Sequence, residues 1–186
     1  MPKNSGFTLI EILIVIAISA MLAAITIGYS SVERDQTALS VEETEVSQFI
    51  LQARSLSIAT YSNAAGAACG YGVSINPSTQ TYSIFAYVPG GSACPEASNI
   101  IYASVADSAN EKPYTNETWQ VHPQNGITFS TASSSALSYV LFIPPDPTTL
   151  LFNSSGLISQ AFIKLVSADG GSSRTISIDS AGQVIF

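Results

Sequence analysis

The first side chain in this sequence placed to do chemistry is Glu11. It lies near the start of an apolar run from Phe7 to Tyr29, between Leu9-Ile10 and Ile12-Leu13-Ile14. A carboxylate within a membrane span costs on the order of 2.5 to 3.5 kcal/mol, so a span that keeps one more often uses it than merely tolerates it. Two kinds of partner could offset that cost. One is the helix's own first turn, with its unsatisfied amides and partial positive charge. The other is a cation. Immediately upstream, a short polar leader carrying Lys3 ends in Ser5-Gly6, directly against Phe7. A secretory signal places its small-residue cleavage site after the apolar core, whereas here the small residue comes before it. Cutting after Gly6 would remove residues 1–6, keep the apolar helix on the mature chain and free an ammonium on Phe7.

Elsewhere the sequence offers little chemistry, and no enzyme activity and no cofactor is expected. His122 is the single histidine and stands beside Pro123 in a loop-like stretch, where a lone His is far more often a surface or structural residue than a base or ligand. No serine sits in Gly-x-Ser-x-Gly, and no glycine-rich loop leads to Lys-Ser or Lys-Thr. The two cysteines, Cys69 and Cys94, are too few for a Cys-rich zinc site. Asn116-Glu117-Thr118 and Asn153-Ser154-Ser155 match the Asn glycosylation pattern, which arises often by chance. Trp119, Tyr114 and Tyr139 fit either a binding face or a core. From Tyr61 onward Lys112, Lys164 and Arg174 are scattered among seven acids, the reverse of the clustered cations that phosphate backbones require, so no direct nucleic-acid binding is expected.

The elements that must position these residues divide the chain into four. After the leader (1–6), the 23 residues of 7–29 would span roughly 35 Å as a helix, enough for a hydrocarbon core of about 30 Å. From Ser31 to Thr60 there is no Pro or Gly, and Leu39, Val46, Phe49, Ile50, Ala53 and Leu56 recur at helical spacing, with Glu42, Glu43, Glu45, Gln48, Gln52 and Arg54 expected mostly on the opposite side. One helix from Phe7 to Thr60 would be about 80 Å long. Gly28 is its one weak point, either a place for the backbone to loosen or a site of close helix packing.

The texture changes at Tyr61. Short runs rich in Val, Ile, Tyr, Phe and Thr predict strands at Tyr71–Ile75, Gln80–Tyr87, Asn99–Ser104, Ile127–Ser130, Leu137–Ile143, Gln160–Val166, Arg174–Asp179 and Gln183–Phe186. Val88–Pro95, Asp107–Pro113 and Pro144–Pro147 read as loops, and Ser180-Ala181-Gly182 as a tight hairpin turn. The expectation is an α+β fold: a long N-terminal helix, apolar then amphipathic (30–60), packed on an antiparallel sheet domain (61–186). A chain of 186 residues, 46% hydrophobic with only 10% charged side chains and a net charge of −7, suits an exported protein or a subunit packed among neighbours.

Gly6-Phe7-Thr8-Leu9-Ile10-Glu11, followed by the apolar run and preceded by Lys3, resembles the N-terminal signature of the type IV pilin and pseudopilin family. The resemblance covers about the first 30 residues and is highly specific. It implies a prepilin peptidase that cuts between Gly6 and Phe7 and N-methylates Phe7, and a single-pass precursor in the cytoplasmic membrane with its globular part outside. It further implies other pilin or pseudopilin subunits, the inner-membrane assembly platform and membrane lipid as partners, with Glu11 of one subunit pairing with the Phe7 ammonium of the next. An extracytoplasmic domain places Cys69 and Cys94 where an oxidising compartment could join them, two buried thiols being the alternative.

The C-terminal layout, with Gln52-Ala53-Arg54 at the helix end and Ile176-Ser177-Ile178-Asp179-Ser180-Ala181-Gly182-Gln183-Val184, is similar to the H-type minor pseudopilins. The cysteines depart from the major-pilin pattern of a bridge near the C-terminus, since 92 residues follow Cys94. Two functions from different classes follow: a structural subunit, minor rather than major, of a type IV pilus or a type II secretion pseudopilus; or a membrane-anchored binding module whose sheet domain takes a ligand while the helix only tethers it.

Overall fold

With no Pro and a single Gly, the stretch Leu9–Thr60 folds as one helix of 52 residues, α1. The computed structural model describes residues 8–60, 68–90, 94–113, 120–130, 136–145 and 147–185. Gly6, Phe7, Tyr114, Asn116 and Trp119 lie outside them. The chain divides into two compact units between Thr37 and Ala38, and α1 contributes to both.

In the C-terminal unit two antiparallel sheets follow the helix. The larger comprises β1 (Gly70–Asn76), β2 (Thr81–Tyr87), β3 (Glu111–Pro113), β5 (Tyr139–Ile143), β6 (Thr148–Asn153) and β7 (Gly156–Ile158), in the order β3-β2-β1-β5-β6-β7. The smaller runs β10-β9-β8-β4, built from β4 (Thr128–Phe129), β8 (Gln160–Val166), β9 (Ser173–Asp179) and β10 (Val184–Ile185). This is the α+β arrangement that the helical and alternating patterns predict. The tight turn at Ser180-Ala181-Gly182 is also found: Gly182 has φ +73°, and its N–H donates to Asp179 O at 2.9 Å. Any side chain there would be strained by the backbone and would strike Thr149 Oγ1.

Period-two alternation assigns the strand residues of the larger sheet to two cores. Val73, Ile75, Tyr82, Ile84, Val140, Phe142 and Leu151 face α1, joined by Ala161, Ile163, Leu165, Ile176 and Ile178 of the smaller sheet. Leu39, Val46, Ile50 and Ala53 of α1 complete that core, so the predicted helical stripe is covered by strands from both sheets. The opposite face carries Phe85, Tyr87, Leu141, Ile143 and Phe152, covered by Ile100 and Val105 of the excursion between β2 and β3. A disulfide from Cys69 to Cys94 ties the start of β1 to that excursion.

Three expectations are corrected. Asn99–Ser104 is not a strand: a 3-10 turn (Ala97–Asn99) and one helical turn, α2 (Tyr102–Val105), occupy it, because the segment lies across the sheet face and buries Ile100 and Val105 rather than alternating side chains. The predicted loop Asp107–Pro113 ends in the edge strand β3, paired with β2 through Tyr87↔Glu111 and Phe85↔Pro113. Finally, Glu42 and Glu43 do not take the exposed side of α1. Both lie on its buried stripe, 2% and 6% exposed, three and four residues after Leu39. Glu43 Oε2 meets Arg174 Nη1 at 3.0 Å, the one ion pair among the described residues. Glu42 Oε2 accepts the Gln124 N–H at 3.1 Å.

Candidate assembly site

The acid expected to act in assembly, Glu11, falls in the first turn of α1. Thr8 occupies the position before Leu9, the first helical residue, and its N–H and Oγ1 both donate to Glu11 Oε2 at 3.3 Å. The Glu11 and Ile12 amides in turn donate to Thr8 O at 3.1 and 3.3 Å. A Glu three residues into a helix that reaches back to the capping residue's N–H is half of a capping box, and it places the carboxylate at the positive end of the helix dipole. Of the two intrahelical and intermolecular partners open to Glu11, the first is therefore in place. Phe7, whose ammonium is the second, lies outside the described residues, as does Gly6.

Beyond this cap the helix presents apolar side chains on every side. Leu9, Ile10, Ile12, Leu13, Ile14, Val15, Ile16, Ile18, Met21, Leu22 and Ile25 are all exposed, and the 18 residues Leu9–Thr26 are long and apolar enough to cross a membrane. Thr26 answers its own hydroxyl by donating to Ala23 O at 2.9 Å, which removes the cost of carrying it into lipid. A helix apolar all round must be buried by lipid or by other chains.

Outside this segment the other candidates resolve into structural roles. His122 is exposed, and its Nδ1–H donates to Gln80 O at 2.9 Å. Asn153 is buried, with its Oδ1 accepting the Ser155 and Gly156 amides at 2.9 Å, so this glycosylation pattern is a turn at the β6–β7 hairpin. Tyr139 is half-buried between Phe85 and Tyr102, with edge-on ring contacts of 5.7 and 5.8 Å. No group of three or more His, Cys, Asp or Glu suited to a metal occurs among the described residues.

Two further acids are conspicuous in the structure. Glu42 faces Tyr82 in the core beneath α1, where burial pushes its carboxyl up against the weaker downward pull of the Gln124 N–H. Neither Glu42 Oε1 nor the Tyr82 hydroxyl makes a hydrogen bond of normal geometry among the described residues. Glu111 lies in a cleft on the far face of the larger sheet. Burial raises its pKa, while hydrogen bonds from Ser74 and Tyr139 lower it. Position on α1 between Leu39 and Val46 was a sequence signal for Glu42; nothing local marked Glu111.

Residues 1–27 match the prokaryotic N-terminal methylation motif. No curated protein and no solved structure matches the chain. The matched residues contain Gly6-Phe7, the Thr8–Glu11 cap and the exposed apolar helix, and the motif supports a type IV pilin-like, structural role with membrane anchoring.

Proposed function

We propose that this chain is a structural subunit, minor rather than major, of a type IV pilus or a type II secretion pseudopilus. The observation that carries the reading is the methylation motif at residues 1–27, which sets Gly6-Phe7 directly before an apolar helix with an acid at its third helical position. In this reading residues 1–6 are a leader, cut by prepilin peptidase at the cytoplasmic face, and the new Phe7 terminus is N-methylated. Residues 7–29 hold the precursor in the inner membrane, and residues 61–186 lie outside it with the outer part of α1. Extraction from lipid is offset as the assembly platform passes the apolar helix to the helices of other subunits, which bury it again. Pairing of Glu11 with an incoming Phe7 ammonium aligns the two helices. A minor role is supported by the placement of the Cys69–Cys94 bridge away from the C-terminus.

The test is the N-terminal residue of the mature protein in a host carrying the peptidase. Mass spectrometry is expected to find N-methyl-Phe7. A mature chain beginning at Met1, or cut after the apolar run, would overturn the reading, and Gly6→Val is expected to leave uncleaved precursor in the membrane.

A further inference from the structure

A cleft of about 670 Å³ opens on the far face of the larger sheet, lined among others by Ser74, Tyr102, Glu111, Gln120, Ser138 and Tyr139. It lies within the range of small-molecule sites, about 300 to 1,000 Å³. Of its seventeen described lining residues twelve are Ser, Thr, Asn, Gln or Tyr, one is acidic and none is Lys or Arg. Glu111 is thus a partly buried carboxyl with no cation among the described cleft residues. The Ser74 and Tyr139 hydroxyls beside it favour its charged form against burial, and a carboxylate offers about four acceptor positions, so two such neighbours do not exhaust it. The Tyr139 ring is fixed edge-on by Phe85 and Tyr102, which makes the aromatic wall rigid.

These features select among ligand classes. An anion would be repelled by Glu111. An apolar ligand would strand a lining made mostly of hydroxyls and amides. A small cation would find one charge, already held by neutral donors. A neutral ligand with many hydroxyls, each both donor and acceptor, and with C–H faces to lie on tyrosine rings, matches the whole lining. We propose that this cleft binds a neutral glycan, with Glu111 accepting ligand hydroxyls, Tyr139 and Tyr102 providing ring surface, and Gln120 bonding at the rim. This activity of the sheet domain is additional to assembly and independent of it.

The test uses the full chain, purified in a detergent without a sugar headgroup, on an array of neutral oligosaccharides, followed by calorimetric titration of the best ligand. Saturable binding is expected, weakened about tenfold or more by Glu111→Gln, the loss expected when a hydrogen bond to a charged group is removed. Tyr102→Phe is expected to weaken it less. Gln120 is exposed, so Gln120→Ala keeps the fold and provides a variant whose weakened binding cannot be attributed to unfolding. Absence of binding to every neutral glycan would overturn the proposal. So would binding unchanged in both Glu111→Gln and Gln120→Ala, or preferential binding of a tri-lysine peptide that Glu111→Gln abolishes.

Discussion

Glu11 and Glu42 are both carboxylates in apolar surroundings, and they meet that cost by different means. Glu11 sits at a helix start, where its Oε2 accepts from Thr8. Substitution separates this cap from a role that needs charge: Glu11→Gln keeps an acceptor for the Thr8 N–H but cannot pair with an ammonium. Glu11→Gln is expected to insert and be cleaved, yet to be lost from sheared filaments as fully as Glu11→Ala. Recovery of the Gln variant at wild-type levels would show that the cap suffices. Glu42 is under Leu39 and Val46 with Gln124, Tyr82 and Glu45 as neighbours, and burial raises its pKa above the ordinary 4.5. A carboxyl raised in the folded state binds more protons there than in the unfolded chain, so its contribution is present below the ordinary value and is lost as pH rises through the raised one. Glu42→Gln is therefore expected to remove part of the fall in stability as pH rises above the ordinary carboxyl value. Glu111, whose shift has the same sign, stays in both proteins. Denaturant unfolding of the two across that range is the check, and a pH-independent difference would sink the argument.

Among elements, composition as well as alternation made strands legible, since β2 and β5, buried almost throughout, still read as strands from their Tyr, Ile, Val and Phe residues. β1, β8 and β9 have one face in the main core and read clearly as alternating strands. β6, Thr-Thr-Leu-Leu-Phe-Asn, is buried on both faces of a sheet sandwiched between α1 and the excursion, so it shows no alternation to read. β3 consists of Glu, Lys and Pro, all poor strand formers, and exists only because the edge of β2 pairs with it. The Asn99–Ser104 error has the converse cause, since β-branched residues there serve a helical turn laid across the sheet. Helical spacing located the buried stripe of α1, but polarity misassigned Glu42 and Glu43, whose partners Gln124 and Arg174 are 82 and 131 residues away. The Thr8–Glu11 cap, by contrast, is carried by a spacing of three and is local. The stripe itself gives a paired test on one turn of helix: Ile50 is fully buried and Leu51 is 53% exposed. Ile50→Ala is expected to cost about 2 to 5 kcal/mol in thermal or denaturant unfolding, and Leu51→Ala under about 0.5 kcal/mol. Equal losses would mean that the helix does not dock through this face.

For the whole molecule, the division at Thr37–Ala38 separates two ways of burying apolar surface. None of the 18 residues of Leu9–Thr26 is buried within the chain itself. The first core residue of the C-terminal unit is Leu39, and every other member of its two cores follows it. A chain beginning at Glu33 consequently keeps the entire core, the Glu43–Arg174 pair and both cysteines, while losing the span. It is expected to be soluble, to unfold in one cooperative transition and to form the Cys69–Cys94 bridge in an oxidising compartment. Closing a loop of that length contributes about 3 kcal/mol, which for a domain of this size corresponds to a fall of roughly 6 to 12 °C in Tm on reduction. The same truncated chain is expected to be absent from filaments that incorporate the full one, because the motif and Glu11 are gone. Calorimetry with and without reductant, together with co-sedimentation with sheared filaments, measures both halves of this expectation. A truncated chain that aggregates, or melts without cooperativity, would show that the N-terminal helix is needed to fold the sheets; one that still enters filaments would place assembly in the sheet domain.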